Sequence, residues 1–316
     1  MSIRLFEWRD LPLLHRYRNE CLFLDSTPIL TSGPIFAPAG ALLSTLSPVT
    51  GIFTYLYQED DLPVLFGQVT HVASTASAHL SFLTPRAALE DADIPALLDQ
   101  MATQVVERGG LRLLAEVEEQ LREFDLFRQV GFGVYARQRI WQLPEGSTGV
   151  SLTGLRRATN KRDQASVRFL YANLVPGLVQ QAEQPSGGLR GLVYYRGQEL
   201  LAYFEVRYGT RGIWVQPFVH PDAEVVAEQM FRVLQDLPFR SSRPVYICVR
   251  SYQSWLETVL ETLGAQPGPR QGVLVRHLAG RVAHTYTAPA LNGKTTEPTF
   301  PVAHTRRMYD RKANNR

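Results

Sequence analysis

The side chains of this sequence that could do chemistry do not assemble into a familiar motif. Its two cysteines each stand inside an apolar run, Glu20-Cys21-Leu22-Phe23 and Tyr246-Ile247-Cys248-Val249. They read as small buried hydrophobes of a reducing compartment. No Cys/His cluster has metal-ligand spacing, so no metal is expected. No Gly-x-Ser-x-Gly elbow and no Gly-x-x-x-x-Gly-Lys loop occurs. Charged residues gather instead behind two similar strand ends. Ser81-Phe82-Leu83-Thr84-Pro85 is followed by Glu90, Asp91 and Asp93, and Pro217-Phe218-Val219-His220-Pro221 by Asp222 and Glu224. Carboxylates at a helix start stabilise it by about 0.3–1 kcal/mol and repel a phosphate placed there. Both segments therefore read as self-capped helices.

The elements that position these segments recur in one order on either side of the midpoint. Residues 3–8 read as a strand, and Asp10 as the cap of a helix with Pro12 in its first turn. A Pro/Gly/Ser/Thr-rich working loop is expected over 26–48. Strands follow at 52–58, 64–73 and 78–83, then a helix at 94–107 ended by Gly109-Gly110. The first copy closes with a buried strand at 111–117, a helix at 118–130 and a strand at 134–143. After a turn-rich linker at 144–149, a helix is expected at 161–174 and a hairpin of 190–195 with 199–208. The second copy then runs through a strand at 212–219, a helix at 222–237, a strand at 245–250, a helix at 254–263 and a strand at 272–278. Ser81 and Pro217 stand 136 residues apart, and Gly131 and Gly264 stand 133 apart. A duplicated α/β unit is the simplest organisation, with domains at 1–143 and 150–282 and an extended tail at 283–316.

With 316 residues and 45% hydrophobic content, the chain can build two packed cores. Lys+Arg 33 against Asp+Glu 30 leave a net charge of only +3, too weak a field for a nucleic-acid binder. Only the basic end of the tail, with Arg306, Arg307, Arg311, Lys312 and Arg316, could touch such a partner. Tyr194-Tyr195 and Tyr203-Phe204 could stack bases, but without a dense basic groove a hairpin core is the simpler reading. No apolar run approaches the ~20 residues of a spanning helix. Charges also interrupt the first residues where a signal peptide has its apolar core. A cytoplasmic protein without membrane contact is expected.

The order strand–helix–strand–strand–strand–helix–strand–helix–strand in both halves resembles the GNAT acyltransferase superfamily. Leu155-Arg156-Arg157-Ala158-Thr159 resembles that family's first strand running into its first helix. Leu126-Phe127-Arg128-Gln129-Val130-Gly131-Phe132 is similar to its final helix, which often reads Leu-Tyr-x-x-x-Gly-Phe. The resemblance implies an α/β (α+β) fold of two tandem GNAT-like domains, each a mixed, mostly antiparallel twisted sheet flanked by helices. It implies acyl transfer from acetyl-CoA or another acyl-CoA to the amine of a small molecule or peptide. The donor would lie between two splayed strands, at Phe82, Leu83, Thr84 and Arg86 in the first copy or Phe218, Val219 and His220 in the second. A backbone N–H near Leu83 or Val219 would polarise the carbonyl.

This sequence departs from the family at the two places that matter most. The pyrophosphate loop should read Arg/Gln-x-x-Gly-x-Gly/Ala at a helix N-terminus, where a Cβ would block the phosphate. Residues 85–93 and 221–228 contain no glycine, and Arg86 alone keeps a phosphate contact in prospect. The family's tyrosine acid is replaced by Phe127 and Leu260, which leaves Tyr252 as a displaced acid. For the base, Glu116 and Glu118 close one inner strand, and Glu205 lies opposite Ala202, Phe204 and Val206. The alternative is a non-catalytic binding or scaffold protein that keeps the fold without the donor site.

Overall fold

The computed structural model describes residues 2–34, 51–59, 63–73, 75–146, 149–183, 190–237 and 243–278. The first half runs β1 (Ser2–Leu5), α1 (Leu11–Arg16), β2 (Leu22–Phe23), α2 (Ser26–Ser32), β3 (Ile52–Gln58), β4 (Leu65–Thr70) and β5 (Ser77–Thr84). It continues with α3 (Ile94–Glu107), β6 (Arg112–Glu118), α4 (Arg122–Gln129) and β7 (Gly133–Gln142). The second half runs β8 (Leu155–Arg157), α5 (Lys161–Leu174), α6 (Gly177–Ala182), β9 (Gly191–Arg196), β10 (Glu199–Tyr208) and β11 (Ile213–Val219). It ends with α7 (Glu224–Gln235), β12 (Val245–Arg250), α8 (Trp255–Thr262) and β13 (Gln266–His277).

Alternating side chains bury both faces of the sheet, as period-two patterning requires. In the first half Tyr55, Tyr57, Leu65 and Leu83 pack with α3 on one face. Leu56, Phe66 and Phe82 pack with α1 on the other. The helices start where polar caps allow. Asp93 accepts from the Ala96 amide at 3.0 Å, and Asn160 accepts from the Asp163 amide at 2.7 Å. Asp10 is a correction: its carboxylate does not cap α1 but accepts from the Glu7 amide at 2.9 Å and from Arg4 at 2.6 and 2.7 Å. The second half repeats this pair, with Arg156 on Asp163 at 2.6 and 2.8 Å and the Thr159 amide on the same carboxylate at 3.0 Å. The salt-bridged guanidinium holds Asp163 well below the usual carboxylate range.

The described strands form one mixed sheet in the order β1-β3-β4-β5-β6-β13-β7-β12-β11-β10-β9-β8, with β2 branching from β5. This order reads the same from either end once each first-half strand is matched to its second-half counterpart. The closing strands are exchanged. β6 pairs with β13 from the other half, and β12 pairs with β7. At the centre β7 and β13 run antiparallel, from Gln266↔Gln142 to Val275↔Gly133. The two halves therefore share one sheet.

Several local expectations change, among them the last strand, which starts at Gln266 rather than 272. Residues 26–32 form α2 rather than loop, and the remaining positions of that expected loop, from 35 onward, lie outside the described residues, as does the tail at 283–316. The helix expected from 118 starts at Arg122, because Glu118 still belongs to β6. Two short elements, β2 and α6, carry too little periodicity to be read from sequence. Among the described residues, no helix is long and apolar enough to cross a membrane.

The exchange has a measurable consequence. A fragment ending at residue 149 keeps β7 but has no β13 to cover the edge of β6. It should pair with a second copy by mutual exchange of β7, or aggregate. Light scattering that found a stable, folded monomer would contradict this.

Candidate functional site

In both halves the inner parallel strands pair for three residues and then part. β5 and β6 pair only at Ser77↔Arg112, Ala78↔Leu113 and His79↔Leu114. β11 and β12 pair only at Ile213↔Val245, Trp214↔Tyr246 and Val215↔Ile247. Beyond these points each strand turns backbone N–H and C=O groups into a wedge. Buried and unpaired, each such group would cost about 1–3 kcal/mol. What satisfies them differs between the halves.

Main chain fills the first wedge. β2 pairs with β5 at Leu22↔Leu83 and Phe23↔Phe82. The Leu24 amide donates to Ser81 O at 3.0 Å, and the Glu116 amide donates to Leu24 O at 2.8 Å, so residue 24 spans both strands. Phe82, Leu83 and Thr84 are thereby buried, and the Thr84 hydroxyl donates to Tyr17 O at 3.0 Å. Glu116, expected as a base, instead accepts from the Ser26 amide at 2.9 Å. Arg86 is paired within the protein. Its guanidinium forks onto the buried Glu123, with Nη2–Oε2 at 2.9 Å and a second bond from Nε. Burial alone would raise the Glu123 carboxyl, but Arg86 outweighs it and holds the group below its usual range.

One side chain bridges the second wedge. Gln253, in the turn Ser251–Gln253 that follows β12, is only 1% exposed. With its carboxamide oriented to satisfy both partners, it donates to Pro217 O at 3.1 Å and accepts from the Val219 amide at 3.2 Å. A carboxamide carries the donor and acceptor of a peptide group, so Gln253 acts as a one-residue strand. Phe218 stacks on Tyr203 at 6.1 Å and meets Tyr171 at 5.5 Å. His220 caps the next turn, its Nδ1 accepting from the Asp222 amide at 3.2 Å.

Two sets of partly buried polar side chains lie between the wedges. The Tyr171 hydroxyl donates to Glu183 O at 2.6 Å. Glu183 Oε1 accepts from Arg250 Nη2 at 2.6 Å and from the Tyr135 hydroxyl. Cys248 donates to Gln138 Oε1 at 3.3 Å, and Gln138 donates to Gln271 Oε1 at 2.8 Å. Gln271 in turn donates to Ser26 Oγ at 3.3 Å, which leads back to Glu116. Tyr252 stands two residues after Arg250, and burial pushes its phenol far up, so it stays protonated. Glu205 lies on the Tyr203 side of β10, as the alternation predicted, but its Oε1 accepts from Arg207 at 2.9 and 3.0 Å. Burial pushes Asp25 up to about 6, with His79 pulling it down and Glu116 pushing it further up.

Sequence reasoning missed Asp25, Glu183, Arg250 and Gln253. Of these only Asp25 left a trace, as a cap before Ser26-Thr27-Pro28. Among the described residues no group of three or more His, Cys, Asp or Glu side chains could hold a metal ion.

No family model matches this sequence, and no curated protein is significantly similar to it. Solved structures do share its fold. A GCN5-related N-acetyltransferase from Sphaerobacter thermophilus aligns over 88% of this chain and 95% of its own, at 12% identity and a TM-score of 0.50. A Pyrococcus horikoshii protein assigned as an acetyltransferase aligns over 88% of this chain and 90% of its own, at 12% identity and a TM-score of 0.52. The fold of this chain is the GNAT fold.

Two stability predictions follow from the site. Gln253→Leu removes two buried hydrogen bonds and should cost about 1–3 kcal/mol, whereas Leu24→Pro removes the amide bonded to Ser81 O beside β2 and should cost more, both read by urea denaturation. Asp25 is an acid raised on folding, so its ionisation lowers stability as pH climbs from the ordinary carboxylate range to about 6. Asp25→Asn keeps the cap and should raise the melting temperature at pH 8 but not at pH 4. Equal effects at both values would refute the assignment.

Proposed function

We propose that this chain transfers an acyl group from acyl-CoA to an amine, and that only the second wedge takes the donor. The observation that carries this is Gln253, whose carboxamide holds Pro217 O and the Val219 amide. Those are the groups that an extended amide-containing donor would pair with, and a side chain can rotate away from them. The first wedge is closed by residues 22–24 of the main chain, which cannot leave without unfolding β2. The first half, residues 1–143, is then a structural partner and the second, 150–282, the working domain.

Bound there, an acyl-CoA supplies an activated thioester carbonyl. The Val219 N–H, released by Gln253, polarises the carbonyl oxygen. Glu205, in balance with Arg207, takes the proton of the attacking amine directly or through a water. Tyr252, protonated and without a hydrogen-bond partner among the described residues, gives its proton to the departing thiolate. The acceptor is a small molecule or a peptide. Two free cysteines are consistent with work in a reducing cytoplasm.

The nucleotide end fits poorly. Asp222 and Glu224 stand at the helix start where a pyrophosphate would rest, and no glycine opens the backbone. Acetyl-pantetheine should therefore bind within about ten-fold of acetyl-CoA, because the missing phosphate contacts have little to lose. A second reading has its own support: with both wedges already filled, the chain could bind ligands without catalysis. Calorimetry and thermal shift on wild type and Gln253→Ala decide between them. Saturable binding is expected, tightened about ten-fold in Gln253→Ala because no side chain competes. No binding of either donor to either protein at millimolar concentration would leave the non-catalytic reading.

A further inference from the structure

We propose that Arg250 anchors a site for a small carboxylate with an apolar body, on the face of the second wedge roofed by Tyr171 and Glu183. Arg250 closes β12, three residues past the last pair between β11 and β12, and is 6% exposed. Among the described residues, only Nη2 is bonded, to Glu183. Nε and Nη1 are sealed from solvent and have no hydrogen-bond partner among the described residues. Buried donors are paired in nearly all folded proteins, and a guanidinium carries five of them. An arginine left this way lacks acceptor oxygens, and a carboxylate supplies two in the matching fork.

The surroundings define the rest of the ligand. Phe218 and Tyr203 stack beside Tyr171, whose hydroxyl reaches Glu183, so apolar rings flank the ion pair. Tyr252 packs in the same cluster, and its protonated hydroxyl, without a hydrogen-bond partner among the described residues, is a second donor for an anion. Glu183 does not saturate the site, because one oxygen already serves both Arg250 and Tyr135. The duplication supplies an internal control. Arg250 faces Gln138 across β12 and β7, and the position facing the matching Gln271 in the first half is Glu118. The shared framework therefore does not require an arginine there.

This deepens the acyl-transfer reading by naming the acceptor class as amino carboxylates, and it rests on that reading only for the second wedge as the way in. Because the nitrogens are sealed, a ligand reaches them by displacing part of the cluster wall. The test uses full-length protein without any acyl donor, so the two readings fail separately. Thermal shift and calorimetry would compare 3-phenylpropanoate with 3-phenylpropanamide, and phenylalanine with phenylalaninamide. Each acid should bind saturably and at least about ten-fold more tightly than its amide. Arg250→Met alone strands Glu183 and could unfold the chain, so the paired change Arg250→Met with Glu183→Gln is used. It should abolish the preference for acids. Acids and amides indistinguishable in wild type, or a preference for acids surviving in the double variant, would overturn the proposal.

Discussion

Parallel strands that part inside a protein leave a row of peptide groups that neither a neighbour nor water satisfies, and this chain is organised around that difficulty twice. β5 and β6, like β11 and β12, separate after three pairs. Each wedge must then be filled or solvated, since buried unpaired backbone groups are rare for energetic reasons. The first is filled by β2 and Leu24 and the second by Gln253. A main-chain insert brings its own side chains into the core, so Leu22 and Leu24 become part of the packing. A carboxamide satisfies the same two groups with one residue and no core contribution of comparable size. Closure of the first wedge is therefore tied to folding of the half, and closure of the second is local.

Exchange of the closing strands makes the two wedges parts of one object. The wedges flank four central strands, β6, β13, β7 and β12, two from each half. Glycines mark how closely the halves approach away from that centre. A Cβ at Gly209 would meet Thr31 O at 2.2 Å, and one at Gly212 would meet Leu30 O at 2.3 Å, where α2 docks on the hairpin between β10 and β11. The Arg211 amide donates to Thr31 O at 2.8 Å in the same contact. The framework is symmetric, down to the pairs Arg4–Asp10 and Arg156–Asp163. The fillings of the wedges are not.

That division explains what could be read in advance. α3, α5 and β12 were legible to the residue, because their apolar period and caps are local properties. The splay was accessible only through resemblance, and the exchange was invisible, since β7 and β13 have the same pattern whichever strand they join. β2 is two residues long and exists because a wedge needs filling. Glu116 and Glu205 were found as carboxylates in the right strands, yet their partners, Ser26 and Arg207, decide what they can do. Arg250 reads in sequence as an ordinary strand-end charge, and only burial against Glu183 makes it a fixed ion.

Charge around the second wedge is distributed in the opposite sense to what a phosphate would need. Carboxylates, Asp222 and Glu224, stand at its rim where the helix start would favour an anion. The cation lies inside. Burial by itself would lower the Arg250 pKa, but Glu183 outweighs that and keeps the guanidinium charged at every accessible pH. A charge that cannot titrate away must be balanced by geometry, and here one carboxylate oxygen does that for two donors at once. The glycine-free loops and the buried arginine are thus two sides of one electrostatic arrangement.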